Sequence, residues 1–344
     1  MVNTTKILTG SHEARTRWGT HESAAVFDRK KTNYLTDKAQ AFIEEQAFCA
    51  IAGIGPDGHV CGMLNMSTPG FVVILDQHTC LFHIDTRDHH LSLVQGLFHA
   101  SSAKLGLFFI THATRERLCV QGRAEIIHTE DKGSEASSLG VILHVEQAFF
   151  HCAKYIKTRV GGLTMAPTAP LEQQWQILTW PKYSVNALLD EARSFIHKQN
   201  ICFLCSIASD GQCAVNHRGG AAGFLVTQAP TQVAPGGTIL LPDYAGNGAF
   251  EAIGNIFERP QAAIVIPSYS TMLALCVSGA ARVLDNAELS PETAKACIGA
   301  ERVIELAVKH VETQIGDWTS TLEYEREHSK ELKEVGDDVV GCKI

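Results

Sequence analysis

The sequence predicts a mainly β (α+β) chain in which one small antiparallel barrel, with helices at its rim, occurs twice. Three observations carry this: an internal repeat at a fixed offset, many short apolar runs bounded by turn residues, and a length of 344 residues, which suits two domains of ordinary size. Residues 39–58 read AQAFIEEQAFCAIAGIGPDG and residues 192–211 read ARSFIHKQNICFLCSIASDG. The offset of 153 pairs Ala39 with Ala192, Phe42-Ile43 with Phe195-Ile196, Gln46 with Gln199 and Asp57-Gly58 with Asp210-Gly211, and it continues to Gly70-Phe71 against Gly223-Phe224. After small insertions, Cys119-Val120-Gln121-Gly122 matches Cys276-Val277-Ser278-Gly279. A period this long denotes tandem duplication, because solenoid repeats run to about 20–50 residues.

In chain order, residues 1–36 have no counterpart in the second copy and are expected to wrap the surface. The first copy spans 37–159. Asp37 and Gln40 suit a capping box ahead of Ala39, Phe42 and Ile43, so a short helix opens it. An apolar run, Asp57-Gly58 and a second run then read as a hairpin. Further strands follow at Cys80–Ile84, Leu105–Ile110 and Leu118–Ile127, with a helical stretch at Leu91–Ala100 and a closing helix expected over Glu135–Ile156. Residues 160–183 hold Pro167, Pro170 and Pro181 together with Trp175 and Trp180, which predicts a linker packed across the domains. The second copy, 184–315, repeats the order. Ser184 or Asn186 would start its first helix, which carries Leu188, Leu189, Ala192, Phe195 and Ile196. Strands are expected at Thr238–Leu241, Ala262–Ile266 and Leu273–Leu284, with a helical stretch at Gly248–Phe257. Ser290-Pro291 would then open a last helix with Ala294, Ile298, Val303, Leu306, Val308 and Val311 on its face. Residues 316–344 form a tail.

Composition narrows the function classes. Hydrophobic residues at 45% and charged residues at 19% exclude wholesale disorder. A net charge of −8 with no basic block argues against nucleic acid or an anionic membrane as partner. No apolar run approaches the roughly 20 residues of a membrane span. Met1 to Trp18 carries charges where a signal peptide needs an apolar stretch, so the cytoplasm is the expected location. The 11 cysteines are scattered through apolar runs, as buried reduced thiols would be. Cys202 and Cys205 form a CxxC inside an apparent strand, where residues three apart face opposite sides, so zinc is not expected. His83, His89 and His90 lack a carboxylate cluster to complete a metal site.

The chemistry-bearing segment is Asn216-His217-Arg218-Gly219-Gly220-Ala221-Ala222-Gly223-Phe224. Glycines weaken strands, but they let backbone approach a ligand while a guanidinium meets a phosphate or carboxylate. One strand later comes Leu241-Pro242-Asp243-Tyr244-Ala245-Gly246-Asn247-Gly248, which leads into a helix whose first N–H groups suit an anion. Two glycine-rich turns beside an exposed arginine would give the same pattern.

These residues, with Asn255-Ile256 and Pro260, resemble the FMN-binding split-barrel superfamily, and more closely the pyridoxamine 5′-phosphate oxidase-related proteins. The resemblance covers roughly 37–159 and 187–315. It implies two split β-barrels with flanking helices forming an intrachain pseudo-dimer, with FMN in the groove between them. It places Arg218, Gly219, Gly220 and Asn247 on the phosphate, and Asn216, His217, Asp243 and Tyr244 along the ribityl chain and ring, with Gly246 and Asn255 in the same motif. The first copy departs from the pattern. It has Met66-Ser67-Thr68 in place of Arg218-Gly219-Gly220, the offset leaving Asn65 opposite Arg218, and it has Asp85–His89 in place of Asp243–Asn247. It does keep His151-Cys152-Ala153-Lys154-Tyr155-Ile156 and Arg159, which resemble a groove-side segment of the family and would also suit a solvated helix end. His151, Lys154 and Arg159 are therefore expected to complete one groove per chain. The implied function is an FMN-dependent oxidoreductase acting on a small molecule, with NAD(P)H a candidate electron donor and a further homodimer an open option. Tyr244, His217 and His151 are candidate ring or substrate neighbours, and no catalytic residue is assigned. The alternatives are a non-catalytic flavin- or haem-binding sensor, or a deazaflavin protein.

Overall fold

A computed structural model describes residues 9–85, 88–112, 114–129, 138–151, 185–268 and 273–315. Two N-terminal helices, α1 (Thr9–Trp18) and α2 (His21–Asp28), precede the first copy. That copy runs α3 (Asp37–Glu44), β1 (Phe48–Ile54), β2 (Val60–Met66), β3 (Val73–Asp76), β4 (Thr79–Asp85), α4 (Ser92–Phe98), β5 (Ser102–Thr111), β6 (Glu116–Thr129) and β7 (Ser138–Phe150). The second runs α5 (Asp190–Lys198), β8 (Ile201–Ile207), β9 (Cys213–Gly219), β10 (Val226–Gln228), β11 (Thr238–Asp243), α6 (Glu251–Glu258), β12 (Gln261–Ser268), β13 (Leu273–Asp285), α7 (Pro291–Ala296) and β14 (Arg302–Ile315). The repeat offset places β8 and β9 residue for residue on β1 and β2.

Each copy forms a seven-stranded antiparallel sheet. The orders are β3-β4-β7-β6-β5-β1-β2 and β10-β11-β14-β13-β12-β8-β9, the same path in both. Each sheet keeps two edges, β2 and β3 in one and β9 and β10 in the other, so the barrels are split and not closed. The Asp-Gly hairpins form as expected, with Gly58 at φ 72° and Gly211 at φ 86°, a left-handed conformation that glycine adopts without a Cβ penalty.

β1 and β8 are apolar on both faces because each serves two cores. Cys49 and Ile51 pack into the first copy's own core, Cys202 and Leu204 into the second's. The alternate residues Phe48, Ala50, Phe203 and Cys205 meet in a third core shared between the copies. Cys202 and Cys205 thus face opposite sides of β8, and nine described cysteines are buried and free. Burial pushes their thiols up, Cys80 to about 12. The copies approach so closely that a Cβ on Gly106 would lie 2.6 Å from the Cys213 carbonyl oxygen.

Several expectations are corrected. The cap of α3 is Thr36, whose hydroxyl accepts from Ala39 N at 3.2 Å. Asn186 does not start α5, and Ser184 lies outside the described residues: the helix begins at Asp190 with Leu189 at its cap, while Val185 bridges to Val311. The helix expected over Glu135–Ile156 is strand β7 across Ser138–Phe150. Ser290 does cap α7, yet that helix ends at Ala296, and Val303, Leu306, Val308 and Val311 lie on β14. The N-terminal segment does more than wrap the surface, since Ala14 of α1 is fully buried in the second core. Residues 152–184, which include the linker, lie outside the described residues. Among the described residues no helix is long and apolar enough to cross a membrane.

Candidate functional site

β9 is an edge strand whose first half is buried and whose second half, Asn216–Gly219, is half-exposed. The chain therefore delivers Asn216, His217, Arg218 and Gly219 to the rim of the sheet. β11 ends beside them at Asp243, and the turn through Gly246–Phe250 leads into α6. From the first copy, the start of β6 and the end of β7 bring Arg117 and His151, joined by the His151 N–H to the Arg117 carbonyl at 2.8 Å. Phe27 of α2 adds a wall. Together these residues enclose a cavity of about 140 Å3.

Asp243, 3% exposed, organises the arginines. Arg218 Nη1 donates to its Oδ1, and Arg302 Nε to its Oδ2 at 2.9 Å. Arg302 also lies over the rings of Trp18 and Phe250, at 4.6 and 4.7 Å. With one nitrogen of Arg218 committed to Asp243, its Nε has no protein partner. Asn216 Oδ1 and His151 Nε2 are likewise buried without one. Such orphaned polar atoms around one cavity are costly unless a ligand or water meets them.

The imidazoles are held neutral. Burial drives the pKa of His217 well below the ordinary value, and the Arg117, His112, Arg218 and His151 charges push the same way. His151 is lowered first by burial and then by Arg117, Lys31 and Arg218. Arg117 Nη1 stands 3.5 Å from His217 Nδ1, a contact across the two copies. His151 sits among the rings of Phe149, Phe108 and Phe27, with centroids 5.0, 5.4 and 5.9 Å away.

Of the residues expected from sequence, Asn216, His217, Arg218, Gly219, Asp243, Tyr244, Gly246, Asn247 and His151 line the cavity. Two do not. Gly220 is a glycine because of Phe224, whose Cβ would lie 2.5 Å from a Cβ placed there. Asn255 lies on the buried face of α6, 1% exposed, donating to Ser206 Oγ at 3.1 Å. Lys154 and Arg159 lie outside the described residues. Sequence reasoning missed Arg117, Arg302, Glu251 and Phe27. For Arg117 a signal existed, since the repeat sets it against Ala274, and a charge facing an alanine marks where the copies diverge.

At the equivalent place in the other half, the corresponding side chains bond protein groups. Leu118 pairs with Phe150 in one sheet and Leu275 with Thr313 in the other, so Phe149, Phe150 and His151 correspond to Glu312, Thr313 and Gln314. The Gln314 carboxamide bonds the backbone of Leu64 in both directions, at 2.7 and 2.9 Å, and donates to Asp88 Oδ2 at 2.9 Å. The Glu312 carboxylate accepts from Ser92 N at 3.1 and 3.2 Å and from its hydroxyl at the start of α4. His90 Nε2 lies 2.6 Å from the Thr313 carbonyl. Asn65, opposite Arg218 in the repeat, spends its amide on the His83 carbonyl at 2.9 Å.

A family model described as pyridoxamine 5′-phosphate oxidase matches residues 35–150 and 188–315, one segment per copy. The chain belongs to this family. Among solved structures, it is similar to a putative pyridoxamine 5′-phosphate oxidase from Lactobacillus delbrueckii, with 19% identity, TM-score 0.27, and coverage of 35% of this chain and 98% of that one. A pyridoxamine 5′-phosphate oxidase-related, FMN-binding protein from Nostoc punctiforme shows 10% identity, TM-score 0.25, and coverage of 38% and 85%. HutZ, a haem storage protein from Vibrio cholerae, shows 11% identity, TM-score 0.24, and coverage of 38% and 94%. No curated protein matches the chain. As a tandem pyridoxamine 5′-phosphate oxidase family member, the chain carries the matched segment twice in one polypeptide.

Proposed function

We propose that the groove beside Arg218 binds flavin mononucleotide and that the chain is an FMN-dependent oxidoreductase acting on a small molecule. One observation carries this reading: Arg218 of the second copy and Arg117 of the first line the same cavity, whose orphaned polar atoms include Arg218 Nε, beside the turn that enters α6. A phosphate dianion suits charge-assisted bonds from guanidinium groups and backbone N–H donors. The enclosed volume is below the roughly 300–1,000 Å3 of pockets that take a whole drug-sized ligand. We assign it to the phosphate-bearing end of such a cofactor, on the guanidinium groups that line it.

The chain's own groups have separable tasks. Asp243 fixes Arg218 in place, leaving Nε for the ligand. His151 and His217 stay uncharged, so they offer hydrogen bonds without adding positive charge. Phe27 gives the cavity an apolar wall. When bound, the flavin itself supplies hydride or electron transfer, and the protein supplies position and electrostatics. The Glu312 and Gln314 contacts support a single site per chain.

A second reading is favoured by His151. A neutral imidazole with an unpartnered Nε2 among phenylalanines would be able to hold a haem iron. Absorption of purified protein separates the two. A flavin band near about 450 nm that survives dialysis, and is bleached by NAD(P)H, supports the oxidoreductase. A Soret band lost on His151→Ala supports haem and ends the flavin reading.

A further inference from the structure

The turn before α6 is gripped from outside by the N-terminal helices. Three consecutive carbonyls take bonds from α1 and the start of α2. Thr20 Oγ1 donates to Gly248 O at 2.9 Å, Arg15 Nε and Nη2 both donate to Ala249 O at 3.1 Å, and Ser11 Oγ donates to Phe250 O at 3.3 Å. Arg15 is itself buried and held by Asp28 at 2.7 Å. The turn is not a relaxed one: Gly248 has φ 70° and Phe250, a non-glycine residue, has φ 52°. A left-handed phenylalanine persists only where its surroundings hold it.

A trans peptide sets its N–H opposite its C=O. The Ala249 carbonyl is drawn to α1, and the Phe250 carbonyl accepts from Ser11 Oγ and, at 2.8 Å, from Gly254 N of α6; the N–H groups of Phe250 and Glu251 lie opposite these carbonyls, and both residues line the cavity. Successive N–H groups in such a turn form an anion-binding nest. In the first copy, the matching helix start at Ser92 instead receives the Glu312 carboxylate.

We infer that α1 and α2, which precede the segments matched by the family model, are a positioning strap that sets the turn 248–251 for the cofactor phosphate. This rests on the flavin reading. Thr20 and Arg15 act through the backbone and touch no ligand.

The test compares FMN with riboflavin, which lacks the phosphate, in binding titrations of the full chain. Thr20→Val is expected to weaken FMN about three- to tenfold, the effect of one hydrogen bond, and to leave riboflavin unchanged. Thr20→Ser should restore FMN affinity. Equal loss for both flavins, or no loss for either, overturns the inference. Should the wild type bind neither flavin, the flavin reading fails on its own, and amide exchange across residues 246–252 decides the strap. Faster exchange in Thr20→Val than in wild type supports it, and unchanged exchange refutes it.

Discussion

Arg218 and Asp243 show how one side chain gives another its function. A lone arginine at an edge strand would sample many rotamers. Here Asp243, itself anchored through its other oxygen by Arg302, holds one Arg218 nitrogen, so the guanidinium is presented in one orientation. Replacing Arg218 by alanine is expected to weaken FMN by about 1.5–3 kcal/mol, the range for a charged hydrogen bond, and equilibrium titration measures it. The histidines set a pH response. His151 and His217 are depressed in the folded chain, so below the unfolded value of about 6.5 the unfolded chain binds protons that the folded chain refuses. Stability should therefore fall as pH drops through that value, by up to about 1.4 kcal/mol per pH unit for each histidine. Urea midpoints between pH 7 and 5 check this, and His217→Phe should flatten the slope. The glycines after Arg218 single it out in the sequence, and it lines the cavity. Gly220 packs against Phe224 and Asn255 against Ser206, contacts between residues apart in sequence that only the fold reveals.

At the scale of elements, the last strand of each copy looked helical for a definite reason. On β14, Ile304, Leu306 and Val308 enter the core at every second position, and then Val311 follows three residues later. The step of three is a β-bulge: Gly279 pairs with Val308 while Ser278 pairs with His310. β7 repeats it, with Val145 and Ala148 buried either side of the shift at Gln121/Gly122. A bulge changes the parity of a strand, so its apolar spacing imitates a helix. Both bulges sit opposite a glycine that the repeat itself had aligned. A Cβ on Gly279 would lie 2.0 Å from the Ala307 carbonyl oxygen, and one on Gly122 would lie 2.1 Å from that of His144. Gly279→Ala is expected to destabilise the chain by about 1–3 kcal/mol or more through overpacking, read from denaturant unfolding. The hairpins and central strands were legible because each has a turn residue and an uninterrupted apolar run.

Across the whole molecule, duplication within one chain has let the two grooves diverge. A symmetric homodimer must carry the same residues in both. Here Arg218, Arg117 and His151 line one cavity, and at the corresponding places Asn65, Glu312 and Gln314 bond protein groups. The sequence announced the duplication and the loss of the arginine from the first copy. It did not announce these bonds, because Gln314 lies 250 residues from Leu64 and Glu312 220 from Ser92 along the chain, and only the paired sheets bring them together. The stoichiometry of FMN binding to the purified chain, measured by calorimetric titration, tests this most directly. One FMN per chain, lost or strongly weakened in Arg218→Ala, is the result expected; two equivalent sites, or none, would contradict the account.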